Sequence, residues 1–199
     1  QITLMKIRIV FFFVLLSQLL FSQGEASNWY FGDHAGIKFQ PDGSVTALND
    51  SAMSTPDGSA VLSDSSGQLL FYTNGITVYN KNHQVMPNGT GLIGGQDSNQ
   101  AATIVKKPGS SNLYYIITID SSLLYTVGLS YSVVDMSLNG GLGDVTVEKN
   151  IIITSGTRNY LSIVKQANNV DYWIITHMQS TNSYNVFLLN SSGISNTPI

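Results

Sequence analysis

Three histidines are present, His34, His83 and His177. None stands at metal-ligand spacing with another histidine or with a cluster of carboxylates. His83 falls in the hairpin-like "NKNHQ", and His177 follows the strand-like "YWIIT". The aspartates are scattered from Asp33 to Asp171. Glycoside hydrolysis needs two carboxylates converging on one bond, and no spacing here singles out a pair. Asp64, in "DSSGQ", reads as a turn residue accepting backbone N–H groups. The glycine-rich "GTGLIGG" (89–95) and "NGGLGD" (139–144) lack the strand before, the helix after and the Gly-Lys-Ser/Thr of phosphate loops, so they read as connections. Acids at calcium-loop spacing are missing too. With no cysteine in the chain, disulfides, thiolate zinc sites and a cysteine nucleophile are excluded. The residues that could do chemistry therefore assign no catalytic group, metal or cofactor, and a non-enzyme is expected.

The elements around these residues are strands. Charged residues are only 11% of the chain, and Gly, Ser, Asn and Thr supply the polar share. That composition suits many short strands joined by polar turns, not disorder, which is rich in charge and poor in aromatics. Three segments share one grammar: 59–85, 102–120 continued by 129–141, and 161–178 continued by 183–194. Each reads as a short apolar strand, a polar turn, an aromatic-rich strand ending at threonine, then a third strand. The second strands are "LLFYT", "YYIIT" and "YWIIT", with Phe71, Tyr115 and Trp173 in equivalent places. The closing threonines Thr73, Thr118 and Thr176 stand 45 and 58 residues apart. The first interval matches the roughly 40 to 45 residues of a four-stranded propeller blade. The second requires an insertion, for which 121–128 is the expected place. In the opening "NWYFGDHAGIKFQPDGS" (28–44), Trp29–Phe31 and 35–39 read as strands, "PDGS" as a turn and 44–48 as a third strand. The aromatics are expected in the core or between sheets, with a carbohydrate-stacking platform as the alternative. The expectation is an all-β, β-propeller-like array of antiparallel sheets over 27–199. About four blade-like units are legible, the first and last incomplete, in a chain read as part of a larger propeller.

Propellers bind through loops at strand ends and around the central channel. The polar loops after the second strands, with 94–100, supply the candidate binding residues Asn74, Asp97, Asp120 and His177. The formal net charge is −3, and Lys106–Lys107 is the one basic pair outside the leader. Nucleic-acid binding needs clustered cations and is set aside.

Residues 5–22 read as a secretory signal peptide. Lys6 and Arg8 precede an apolar core from Ile9 to Leu16, and Ser22 offers a small residue for cleavage. The uninterrupted apolar run is shorter than the roughly 20 residues of a membrane span, so no span is expected after cleavage. Residues 1–4 read as upstream translated sequence.

"NWYFGDHAGIKF", "LLFYTNGITVYNKNHQVMPNGTGLIGG" and "SNQAATIVKKPGSSNLYYIITID" resemble the N-terminal region of large Bacteroidetes surface proteins exported by type IX secretion, a group labelled gliding-motility-associated or type B sorting-domain proteins. The resemblance covers roughly 27–190 and is most specific over 69–120. It implies a propeller-like region followed by further domains and a sorting domain; no sorting domain is legible here, so a chain truncated at its C-terminus is expected. It also implies export to the surface or medium through the secretion machinery, and adhesion or matrix-type roles. Asp50-Ser51-Ala52 matches the phylum's short acceptor pattern for O-glycosylation. The expected function is a non-catalytic, secreted or cell-surface segment binding surface glycans or proteins. The alternative is the propeller body of an extracellular polysaccharide hydrolase.

Overall fold

A computed structural model describes residues 24–95, 97–120 and 127–199. The segment expected to be a signal peptide, 5–22, and most of 121–128 lie outside the described residues. The chain is all-β. Four antiparallel sheets follow one another in sequence, each a meander of neighbouring strands. The first holds β1 (Asn28–Phe31), β2 (Ala35–Phe39) and β3 (Val45–Leu48). The second holds β4 (Ala60–Ser63), β5 (Leu69–Thr73) and β6 (Val78–Asn80). In the third, β7 (Ala102–Lys106), β8 (Leu113–Ile119) and β9 (Leu129–Asp135) pair in order, and both β10 (Asp144–Val145) and β11 (Ile151–Thr154) pair with β9. The fourth holds β12 (Thr157–Lys165), β13 (Tyr172–Met178), β14 (Tyr184–Asn190) and β15 (Gly193–Ile194). This is the expected propeller-like array.

The tight turns explain where many of the acids went. Asp42, Asp64 and Asp135 each accept the N–H and the hydroxyl of the serine two residues on, at 2.8–2.9 Å and 2.6 Å. Such side-chain turns mimic backbone turns and fix hairpin ends. Gly67, at φ +82, completes the Asp64 turn in the left-handed region.

Alternation along the strands stacks the sheets in chain order, because successive side chains point to opposite faces. Tyr30 of the first sheet meets Tyr72 of the second, centroids 4.9 Å apart. Phe71, next to Tyr72, points the other way and packs with Tyr114 and Ile116 of the third sheet. Tyr115, Ile117 and Ile119 then turn to Leu161, Ile174, Phe187 and Leu189 of the fourth. β8 is thus buried on both faces, which accounts for its near-continuous apolar run.

Phe71, Tyr115 and Trp173 lie in the second strand of successive sheets; Phe71 and Tyr115 face the following sheet, and Trp173 holds the corresponding place on the fourth sheet, on the face opposite Ile174. The threonine marker needs correcting by one residue. Thr118 and Thr176 share the opposite face with Ile116 and Ile174, whereas Thr73 shares a face with Phe71. All three are buried because each hydroxyl has a nearby partner: Thr77 O, Ser130 Oγ and Tyr160 O. The longer second interval contains β10 and β11, which were not anticipated as strands. Their segment clamps the second sheet's loop: Asn88 Nδ2 donates to Val145 O and Thr146 O, and Lys149 Nζ donates to Thr90 O at 2.6 Å. The last unit has four strands and is not the shortened one expected. In β1 only Tyr30 is core; Trp29 and Phe31 are 51% and 42% exposed on the outer face of the first sheet.

Between the first two sheets a polar cluster sits among rings. Tyr72 Oη accepts the Ala52 N–H at 3.0 Å and bonds His83 Nδ1 at 3.1 Å. Tyr30 Oη donates to Asp50 Oδ1 at 3.0 Å, and His83 Nε2 lies 3.4 Å from Asp50 Oδ2. Ser51, the acceptor suggested by the glycosylation pattern, is 5% exposed, and its hydroxyl accepts the Met53 N–H. Tyr72→Phe removes both the acceptor of the Ala52 N–H and the partner of His83 Nδ1. It is expected to lower the unfolding free energy by about 1–3 kcal/mol in urea denaturation; a variant with the parent's midpoint would contradict this.

Candidate functional site: a groove across the first strands

Antiparallel pairing places the start of each first strand beside the end of the second. Ala60 pairs with Thr73, Ala102 with Thr118 and Leu161 with Thr176. The first strands of the first three sheets adjoin, β1 against β4 and β4 against β7. Ser59 Oγ stitches two of them by donating to Tyr30 O at 2.8 Å, and Asn28 Nδ2 donates to Ser63 Oγ and Gly67 O.

Two neighbouring pockets that share Gln100 form a candidate groove along these strands. One, about 380 Å³, lies over β1, the start of β4 and the start of β7, and is edged by Glu25, Trp29, Ser59, Gln100 and Thr103. The other, about 240 Å³, is lined by Asn99, Gln100, Asn159, Tyr160, His177 and Tyr184 among others. Gln100 lines both. Its Nε2 donates to Thr103 Oγ1 at 2.9 Å, which holds the amide upright. His177 is braced edge-on by two tyrosines, with centroids 4.9 Å from Tyr184 and 6.4 Å from Tyr160. Its Nδ1 is buried and has no hydrogen-bond partner among the described residues.

Of the four residues expected at a site, His177 lines this groove. Asn74 does not: it is 4% exposed, and its Oδ1 accepts the N–H groups of Ile76 and Thr77, so its amide oxygen is spent on a turn. Asp120 receives the Val127 N–H on Oδ2 at 2.9 Å. Asp97 lies in the same loop as Asn99 and Gln100 but is not among the groove's lining side chains. Ser121 and Ser122 fall outside the described residues. The loops do gather at one end of the stack: Ser98 Oγ donates to Asp120 O, and a Cβ at Gly94 would come within 2.4 Å of Gly75 O. That close approach requires glycine.

The candidate stretch 94–100 contained Gln100 without singling it out, and Asn159 and Tyr160, near the start of β12, were not among the expected residues. The available signal was the amide-rich "SNQ" (98–100) directly before an apolar strand.

Chemically, the lining offers amides, hydroxyls and ring faces with little charge. Glu25 is the one carboxylate among the lining side chains of both parts. Among the described residues, no group of three or more His, Asp or Glu is placed to hold a metal ion, and no helix is long and apolar enough to cross a membrane. No protein-family model matches this chain, and neither does any curated protein or solved structure.

Proposed function

We propose that this chain is a non-catalytic, exported β-propeller-like segment that binds neutral, hydroxyl-rich ligands, surface glycans first among them, in the groove along its first strands. The observation that carries the reading is Gln100 lining both of two neighbouring amide- and ring-lined pockets. Amides donate and accept at once and match sugar hydroxyls. Exposed rings such as Tyr160 and Trp29 offer flat apolar faces for the sugar's C–H surface. The near absence of charge favours a neutral ligand over a phosphorylated or polyanionic one, which calls for arginine clusters. A lone lining carboxylate supports binding over hydrolysis, which uses a pair. The leader and the resemblance to type IX surface proteins support display at the cell surface or release to the medium.

A glycan array with the purified protein tests the reading. Gln100→Ala and Asn159→Ala are each expected to weaken binding to the captured oligosaccharide about tenfold, the worth of one or two hydrogen bonds in such a site. Melting should stay near the parent's, and no reducing sugar should appear. An empty array, or release of reducing sugar from a polysaccharide, would overturn the proposal.

A further inference from the structure

The pair Asn-Gly occurs three times in the chain, at 74–75, 88–89 and 139–140. It carries its own chemistry. With no Cβ to shield it, the glycine nitrogen approaches the asparagine carboxamide closely, and a five-membered ring closes between them. Closure needs a carboxamide and a glycine N–H released from other bonds, and a main chain free to rotate. The fold meets these conditions at one pair.

Asn74 is buried. Its Oδ1 accepts the Ile76 and Thr77 N–H groups, and the Gly75 N–H is donated to Thr73 Oγ1 at 3.0 Å. Asn88 is held at both ends of its amide: Nδ2 donates to Val145 O and Thr146 O, and Oδ1 accepts from Lys149 Nζ at 3.2 Å. The Gly89 N–H goes to Met86 O at 2.9 Å. Asn139 and Gly140 instead stand exposed in the short helical turn between β9 and β10. Neither the Asn139 side chain nor the Gly140 N–H has a hydrogen-bond partner among the described residues. A Cβ built on Gly140 or Gly141 would meet no atom within 4 Å, so no packing holds this stretch of main chain. Two main-chain bonds secure it, Gly141 N–H to Leu138 O and Leu142 N–H to Asn139 O.

We infer that Asn139 is a site of spontaneous deamidation, and that the fold protects the same pair at 74 and 88. The Gly140 nitrogen attacks Asn139 Cγ. The new N–Cγ bond forms as the Cγ–Nδ2 bond breaks, and Nδ2 leaves as ammonia with the proton from the attacking nitrogen. Water then opens the resulting succinimide. Opening at Cγ restores the peptide and leaves aspartate. Opening at the main-chain carbonyl leaves isoaspartate, which carries the chain through its side chain and lengthens it by one carbon. Either product adds a negative charge to the turn between Asp135 and Asp144, which already face each other across β9 and β10.

Ageing the intact protein at mildly alkaline pH, followed by peptide mass mapping, tests this. The peptide holding Asn139 should gain about 1 Da, the difference between a carboxamide and a carboxyl. It should split into aspartyl and isoaspartyl forms, which electron-transfer fragmentation tells apart. Asn74 and Asn88 should react at least about tenfold more slowly, since freeing either breaks several hydrogen bonds and each is worth up to about a factor of ten. In guanidinium, where the fold is gone, the three rates should converge. Hydroxylamine, which cleaves the succinimide, gives a second reading: it should cut the folded chain between residues 139 and 140 and the unfolded chain at all three pairs. Asn139→Ser should abolish that first cut and keep the parent's circular dichroism. The proposal is overturned if the three pairs age at one rate in the folded protein, fast or slow, or if Asn74 or Asn88 leads. Rates that stay apart in guanidinium would put the difference in the flanking sequence and overturn it as well.

Discussion

Phe71→Ala is expected to lower the unfolding free energy by about 3–5 kcal/mol, the usual cost of deleting a buried phenylalanine ring. Phe71 is fully buried, where the second sheet meets the third. Its ring meets Tyr114 edge-on at 5.7 Å, and Val78, Met86, Ile116 and Val134 share the cluster. Collapse into the cavity is opposed from both sides. β5 is pinned by Thr73, Leu62 and Asn80 in the ladders, and the clamp from Asn88 and Lys149 fixes the distance to the third sheet. The contrast residue is Trp29. It is larger, but half its surface is already in water and its indole N–H reaches only the nearby Ala26 O at 2.9 Å. Trp29→Ala should change the monomer's stability much less, within about 1 kcal/mol. Urea denaturation of the two variants side by side checks the assignment of inner and outer faces. Equal losses would mean that the sheets do not stack in the order described.

The contrast also shows what could be read from residues alone. Period-two alternation in "NWYF" says that Tyr30 and its neighbours point to opposite sides, but not which side another sheet covers. That depends on which sheet comes next in space, and chain order supplied it for the three inner junctions only. The strands of the second sheet and the pairing of β7, β8 and β9 were legible because their apolar runs end at Asp, Asn or Gly turns. β10 and β11 were not. Asp144–Val145 is too short to alternate, and Ile151–Thr154 follows a turn set by Asn150 at φ +58. Their stability comes from pairing with β9 and bonding the distant loop at 88–93, contacts with no local signature.

The groove was half legible for a related reason. Of the polar loops at strand ends, the one holding His177 lines the groove. Yet Asn74 Oδ1 is taken up by the N–H groups of Ile76 and Thr77, and Asp120 Oδ2 by that of Val127. A short polar side chain beside a turn finds backbone N–H groups first. Gln100 and Asn159 escape that fate because one directly precedes a first strand and the other lies in the irregular start of β12, between Thr157 and Leu161 where the register shifts. Pairing of β12 with β13 brings Asn159 next to His177, and the stacking of the third sheet on the fourth brings Gln100 there; both are long-range information.

Raising the pH above about 10 is expected to unfold this protein sharply. Burial pushes the phenol pKa of Tyr30, Tyr72, Tyr114, Tyr115, Tyr131 and Tyr172 above the usual value near 10. For Tyr30 the bond to Asp50 raises it further, since ionisation would remove the donor and set two negative charges side by side. In the unfolded chain each phenol releases its proton at the ordinary pH, while in the folded chain each keeps it. Folding stability is therefore fully present below pH 10 and is lost as pH climbs from there toward the folded-state values, with the unfolded state binding fewer protons throughout that window. These tyrosines sit at all three junctions between sheets, so their losses add in one cooperative unit. Phenolate absorbance and circular dichroism followed together should change in a single step above pH 10. Tyr30→Phe should keep the fold at neutral pH and move that step upward, because it deletes the phenol most opposed to ionisation. Smooth titration of every phenol near pH 10 with the sheets intact would refute the burial at the junctions, and the stacking order with it.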